Sequence, residues 1–143
     1  MQLARIERPR VVAASDALAD GLVTVAQANG RAGVLYLPRG RRAPAPLLVM
    51  FHGATQRAER SLAFLRELAD EVGLVVYAPQ SLGRTWDFIE GGYGPDVQSV
   101  QAGLEWIFER VAVDVSRLAM GASRTGLATR CRWGSRTATC SRM

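Results

Sequence analysis

Lysine is absent from this sequence; all 18 basic side chains are arginine. Histidine occurs once, at His52, and no carboxylate follows Asp114. Cysteine is confined to Cys131 and Cys140, with no His or further Cys at metal-ligand spacing, which argues against both a zinc site and a disulfide framework. No apolar run approaches the roughly 18 residues that a membrane-spanning helix needs. The opening stretch MQLARIERPR lacks an apolar core segment, so a secretory signal is not expected and the cytoplasm is the predicted location. What is present is 143 residues of which 48% are hydrophobic, enough for one domain with its own core.

The charge is unevenly placed. Residues 1–120 carry thirteen arginines and all thirteen carboxylates, whereas residues 121–143 carry five arginines and no carboxylate. The whole excess of +5 therefore lies in the tail. A basic tail suits anionic partners. This one has neither a spaced arginine stripe nor an aromatic platform beyond Trp133, which weighs against nucleic acid.

Residues 1–32 are weakly patterned, with alternating apolar positions over Gly21–Ala26 that fit an edge strand. From residue 33 the pattern sharpens. GVLYLP (33–38), LLVMF (47–51) and LVVYAP (74–79) are short apolar runs closed by turn residues, as strands buried on both faces require. Between the last two, Leu62, Leu65, Leu68 and Ala69 predict one helix over about residues 59–72. After the loop QSLGRTWDFIEGGYGP, Asp96 is placed to cap a helix bearing Val97, Val100, Leu104, Ile107, Phe108 and Val111 on one face. VDVSRLAM then gives a turn and a strand ending at Met120. The alternation predicts a three-layer α/β sandwich with a mostly parallel sheet over residues 33–120. The tail from residue 121 has glycines and threonines but no apolar stripe, and is expected to be disordered.

In open α/β sheets, ligands bind beyond the carboxyl ends of the strands. Three such ends are legible: His52-Gly53-Ala54-Thr55, Pro79-Gln80-Ser81 and Gly121-Ala122-Ser123. The stretch LAMGASRTG sets Ser123 two residues after a glycine at a strand end, as a serine hydrolase presents its nucleophile.

Taken in order, GVLYLP, LLVMFHGA, LVVYAPQSLGRTWD, GGYGPDV and VDVSRLAMG resemble the α/β-hydrolase superfamily, in its bacterial phospholipase/carboxylesterase branch of serine esterases. The resemblance spans residues 33–121, about the N-terminal half of such an enzyme. It implies a small-molecule ester substrate, no metal and no organic cofactor. It gives Ser123 the place of the nucleophile and the loop of His52, Gly53 and Ala54 an oxyanion role, with the Ala54 N–H as donor. Trp86 and Asp87 either line the substrate cleft or pin their loop.

The elbow departs from the family pattern. Thr125 stands where Gly-x-Ser-x-Gly has its second glycine, and a β-branched side chain fits that strained turn poorly. The acid and histidine that should follow the serine are absent. One lesion accounts for all three departures. If one G is restored near codon 122, permitted codons for residues 120–143 also encode MGGFSDGARDALSLGQPNGDLFSH, which contains the G-F-S-D-G elbow. On this reading the arginine-rich tail is out-of-frame text, Ser123 is not the original nucleophile, and the chain is inactive. The alternative is a non-catalytic interaction module whose tail binds anionic partners. Oligomeric state is left open.

Overall fold

The computed structural model describes residues 18–87, 94–123, 129–133 and 138–142. Five strands form the main sheet: β1 (Gly21–Ala26), β2 (Ala32–Leu37), β3 (Ala45–Phe51), β4 (Val75–Ala78) and β5 (Val113–Ala122). Their spatial order is β1-β2-β4-β3-β5. β3 pairs in parallel with β4 and β5, while β2 pairs antiparallel with β1 and β4. β2 alone therefore runs against the other four, and β1 lies at the edge.

The core lies on both faces of this sheet because side chains alternate along each strand. Leu35, Leu37, Leu47, Val49, Val75 and Tyr77 face one way, toward Ile107 and Val111. Val34, Tyr36, Leu48, Met50, Val76 and Ala78 face the other, toward Ala58, Leu62 and Ala69. Ile107 belongs to α3 (Pro95–Arg110), and Ala58, Leu62 and Ala69 to α1 (Ala58–Ala63) and α2 (Arg66–Val72). Helices thus cover both faces, giving three layers.

Four local expectations are corrected. The helix expected over residues 59–72 is two helices, broken at Phe64 and Leu65, and Leu68 is exposed while Leu62 and Ala69 are buried. Two short helices follow the sheet surface more closely than one straight rod, which leaves Leu68 on the outer side. Asp96 is not the cap of α3: Gly94 holds that position, and Asp96 lies buried in the first turn. β5 continues past Met120 to Ala122, because its pairing with β3 runs on to Phe51. The tail, expected to be disordered, contains β6 (Thr129–Trp133) and β7 (Ala138–Arg142), paired antiparallel in a separate two-stranded sheet.

β5 also departs from regular pairing. Ala45 faces Val113 and Leu47 faces Leu118, so two steps along β3 match five along β5. The surplus is folded around Asp114, whose carboxylate accepts from the Ser116 N–H (3.0 Å) and hydroxyl (2.6 Å) and from Arg117 Nε (2.8 Å). The Ser116 hydroxyl, followed by Arg117, holds this carboxyl below the ordinary aspartate range. Arg117 in turn donates to the carbonyl of Pro44 (2.9 Å). No described helix is long and apolar enough to cross a membrane.

Candidate active site

Parallel pairing of β4, β3 and β5 brings their carboxyl ends to one edge of the sheet, so the three strand ends legible in the sequence meet there. The Ser123 N–H donates to the carbonyl of Phe51 (2.9 Å), fixing the end of β5 against the end of β3. The Gly53 N–H then donates to Ser123 Oγ (3.1 Å). Ser123 Oγ also lies 3.4 Å from Gln56 Oε1, to which it donates, and 3.5 Å from Ser61 Oγ. Position 53 requires glycine: a Cβ there would stand 2.9 Å from the Ser123 carbonyl oxygen.

His52 is buried and turned away from Ser123. Its Nε2 accepts from the Ser81 N–H (3.0 Å) and from Gln80 Nε2 (3.1 Å). A backbone N–H can only donate, so the ring proton sits on Nδ1, which donates to the Gly53 carbonyl (2.8 Å). Both nitrogens are thereby committed to holding backbone, a structural role consistent with its place in the loop. Ala54 is exposed, and its N–H makes no hydrogen bond among the described residues. Next to it Thr55 has φ of +63°, an uncommon conformation for a β-branched residue. Its N–H donates to the Arg84 carbonyl (2.7 Å), which ties this loop to the one after β4.

Trp86 is buried and packs edge-on against Phe51, with ring centroids 4.9 Å apart. Its indole N–H donates to the His52 carbonyl (3.0 Å), a bond that ties its loop to the end of β3. Asp87 joins a different group. The Asp87 and Asp96 N–H groups each donate to the other's carboxylate, at 3.0 and 3.1 Å. Asp96 also accepts from the Leu82 N–H (2.9 Å) and Asn29 Nδ2 (3.2 Å). The structure thus joins His52, Gly53, Trp86 and Ser123, and sets Asp87 at the start of α3.

Sequence reasoning set Gln80 at a strand end but gave it no role, and it is the residue that links these pieces. Gln80 Oε1 accepts the Ala58 N–H at the start of α1 (2.8 Å), while its Nε2 reaches His52. The Gln80 backbone is held by the Gln27 side chain at both N–H (2.8 Å) and carbonyl (3.1 Å). The signal available in the sequence was its position directly after a strand-ending proline.

Chemically, the described residues offer a half-buried hydroxyl and a backbone N–H aimed at it. A serine needs a base to become a nucleophile, and the one imidazole of this chain is otherwise engaged. The nearest donors are those of amides and hydroxyls.

No family model matches the chain, and no curated protein matches it in sequence. Solved structures do match. A bacterial heroin esterase aligns at 25% identity and TM-score 0.54 over 73% of this chain and 34% of its own. A Pyrobaculum calidifontis esterase aligns at 23% identity and TM-score 0.51 over 73% and 35%. A dienelactone-hydrolase-like promiscuous phosphotriesterase from metagenomic libraries aligns at 23% identity and TM-score 0.51 over 70% and 48%. The chain thus spans between about a third and a half of the length of these proteins. With its strand order, its layers and these neighbours, the described part of the chain has the fold of the α/β-hydrolase-type esterases.

Proposed function

We propose that the chain derives from a serine carboxylic-ester hydrolase of the phospholipase/carboxylesterase type and is inactive in its present reading frame. The observation that carries this is the convergence of the His52-Gly53-Ala54 loop on the end of β5, where an elbow would present its serine. In the intact enzyme the serine attacks the ester carbonyl and the alcohol leaves. The Ala54 N–H and the N–H after the nucleophile hold the oxyanion, and water then hydrolyses the acyl-enzyme. Within residues 124–143 no carboxylate and no histidine follow the serine. What remains is binding and one side of an oxyanion site, which by themselves give only residual catalysis.

The reading frame is the direct test. The gene is resequenced from about codon 115 to several hundred bases past codon 143, and the chain is expressed with and without one G restored near codon 122. The expected outcome is a frame that encodes G-F-S-D-G and then a later Asp and His. The restored chain hydrolyses p-nitrophenyl butyrate, and the present chain does so at least about a thousandfold more slowly. A restored frame without those residues overturns the proposal. The interaction-module reading would then take its place, and would require heparin binding with a steep salt dependence that is lost on removing residues 121–143.

A further inference from the structure

Beside the Ser123 cluster, a cavity of about 530 Å³ opens among Thr55, Gln56, Arg57, Glu59 and Arg60. Gln56 belongs to both, since its side-chain oxygen accepts from Ser123 Oγ. Arg57 and Arg60 both line this cavity, and neither has an ion pair among the described residues, Glu59 included. Elsewhere in the described chain Arg41, Arg110 and Arg117 are each paired with a carboxylate, whereas Arg31, Arg39, Arg42, Arg66 and Arg84 are not, so what sets Arg57 and Arg60 apart is that they share one concavity. Two unpaired forked cations around one concavity repel each other and present matched donors to a planar or tetrahedral anion.

We infer that this cavity is a subsite for the anionic end of a short ester, binding a carboxylate or phosphate group through Arg57 and Arg60. The ester half of the ligand rests on the function proposed above, whereas the anion half stands on the cavity itself. Ser123 Oγ marks the side of the cavity where the ester carbonyl would lie, with Gln56 between the two.

The test is a titration of the 15N-labelled chain with monomethyl succinate, dimethyl succinate and methyl phosphate, read at the backbone amides of Thr55, Gln56, Glu59 and Arg60. The charged monoester is expected to bind at least about tenfold more tightly than the neutral diester. Its affinity should fall as salt is raised. Arg57→Gln and Arg60→Gln should each weaken it about threefold or more, and Glu59→Gln should strengthen it. Tighter binding of methyl phosphate than of monomethyl succinate assigns a phosphate, and the reverse a carboxylate. Equal affinity for monoester and diester, or shifts located elsewhere, overturns the inference. Equilibrium dialysis with radiolabelled monoester makes the same comparison at concentrations too low for self-association. Because binding needs no turnover, the two proposals fail separately. A restored enzyme that prefers the diester removes the anion subsite and leaves the ester hydrolase. A restored chain that binds the monoester yet cleaves no ester does the opposite.

Discussion

Tyr77 and Gly103 show how tightly single atoms constrain this core. The Tyr77 hydroxyl is buried with no hydrogen-bond partner, and burial pushes its pKa up to about 12. An unpartnered buried hydroxyl costs on the order of 1–3 kcal/mol, so Tyr77→Phe is expected to be neutral or stabilising by up to about 1 kcal/mol in urea unfolding. The unfolded phenol ionises near pH 10. Below that pH the contribution is complete, and it is lost as pH rises through the folded value. The Tyr36 phenol, raised chiefly by its hydrogen bond to Asp70 and then by desolvation, acts in the same direction. Stability should therefore fall from pH 10 upward, with a shallower fall in Tyr77→Phe; identical slopes would contradict this account. Across from Tyr77, a methyl at position 103 would lie 2.8 Å from its Cζ and closer to the hydroxyl. Gly103→Ala is expected to cost about 1–3 kcal/mol by overpacking. Part of that cost, about 0.5 kcal/mol or more, should disappear in the Tyr77→Phe background. Strict additivity in the double-mutant cycle would show that the phenol is not the obstacle.

At the scale of elements, the loops after β3 and β4 are held by side-chain amides in place of regular pairing. Gln80 bonds His52 and the start of α1 at once, and its own backbone is held by Gln27. Gln80→Ala strips one helix-start N–H of its partner and leaves a buried ring nitrogen with a single donor. The expected loss is about 2 kcal/mol of unfolding free energy in urea titration. A change in the His52 ring 15N shifts should accompany it, since Gln80 touches Nε2 directly. A variant as stable as the parent, with the His52 shifts unmoved, would remove Gln80 from this role. The sequence placed Gln80 at a strand end but not its partners, because glutamines after a strand give no periodic signal. The strands themselves were legible: a fully apolar run such as LVVYAP has few stable places other than the middle of a covered sheet. The single helix expected over residues 59–72 failed for a related reason. Periodicity reports which residues tend inward, while the break at Phe64 and Leu65 answers to the surface beneath.

At the scale of the whole molecule, β5 is an edge strand with a composition suited to the interior. Among the described residues it pairs on one side only, with β3, and Val115, Leu118 and Met120 are 44%, 37% and 49% exposed. From Leu118 to Ala122 it carries no charge and no proline, the devices that ordinarily protect an edge. The purified chain is expected to self-associate, and Met120→Lys should shift sedimentation velocity profiles toward monomer. The substitution should cost no more than about 0.5 kcal/mol, since the side chain is exposed. A parent chain that is monomeric and melts cooperatively would contradict this reading.

The sequence by itself determined the five strands of the main sheet, the helical segments between them, the three strand ends named above, and the change of composition at residue 121. These are local properties: apolar period, turn residues and charge are written along the chain in the order in which they act. Only the tertiary structure decided that β2 runs against its neighbours, that Gly53 points its N–H at Ser123, and that His52 is turned to Ser81 and Gln80. It also decided that Arg57 and Arg60 share one cavity. Such facts depend on which segments pack side by side, and that is settled by how two faces of one sheet are covered at once, a condition no short stretch of the chain contains.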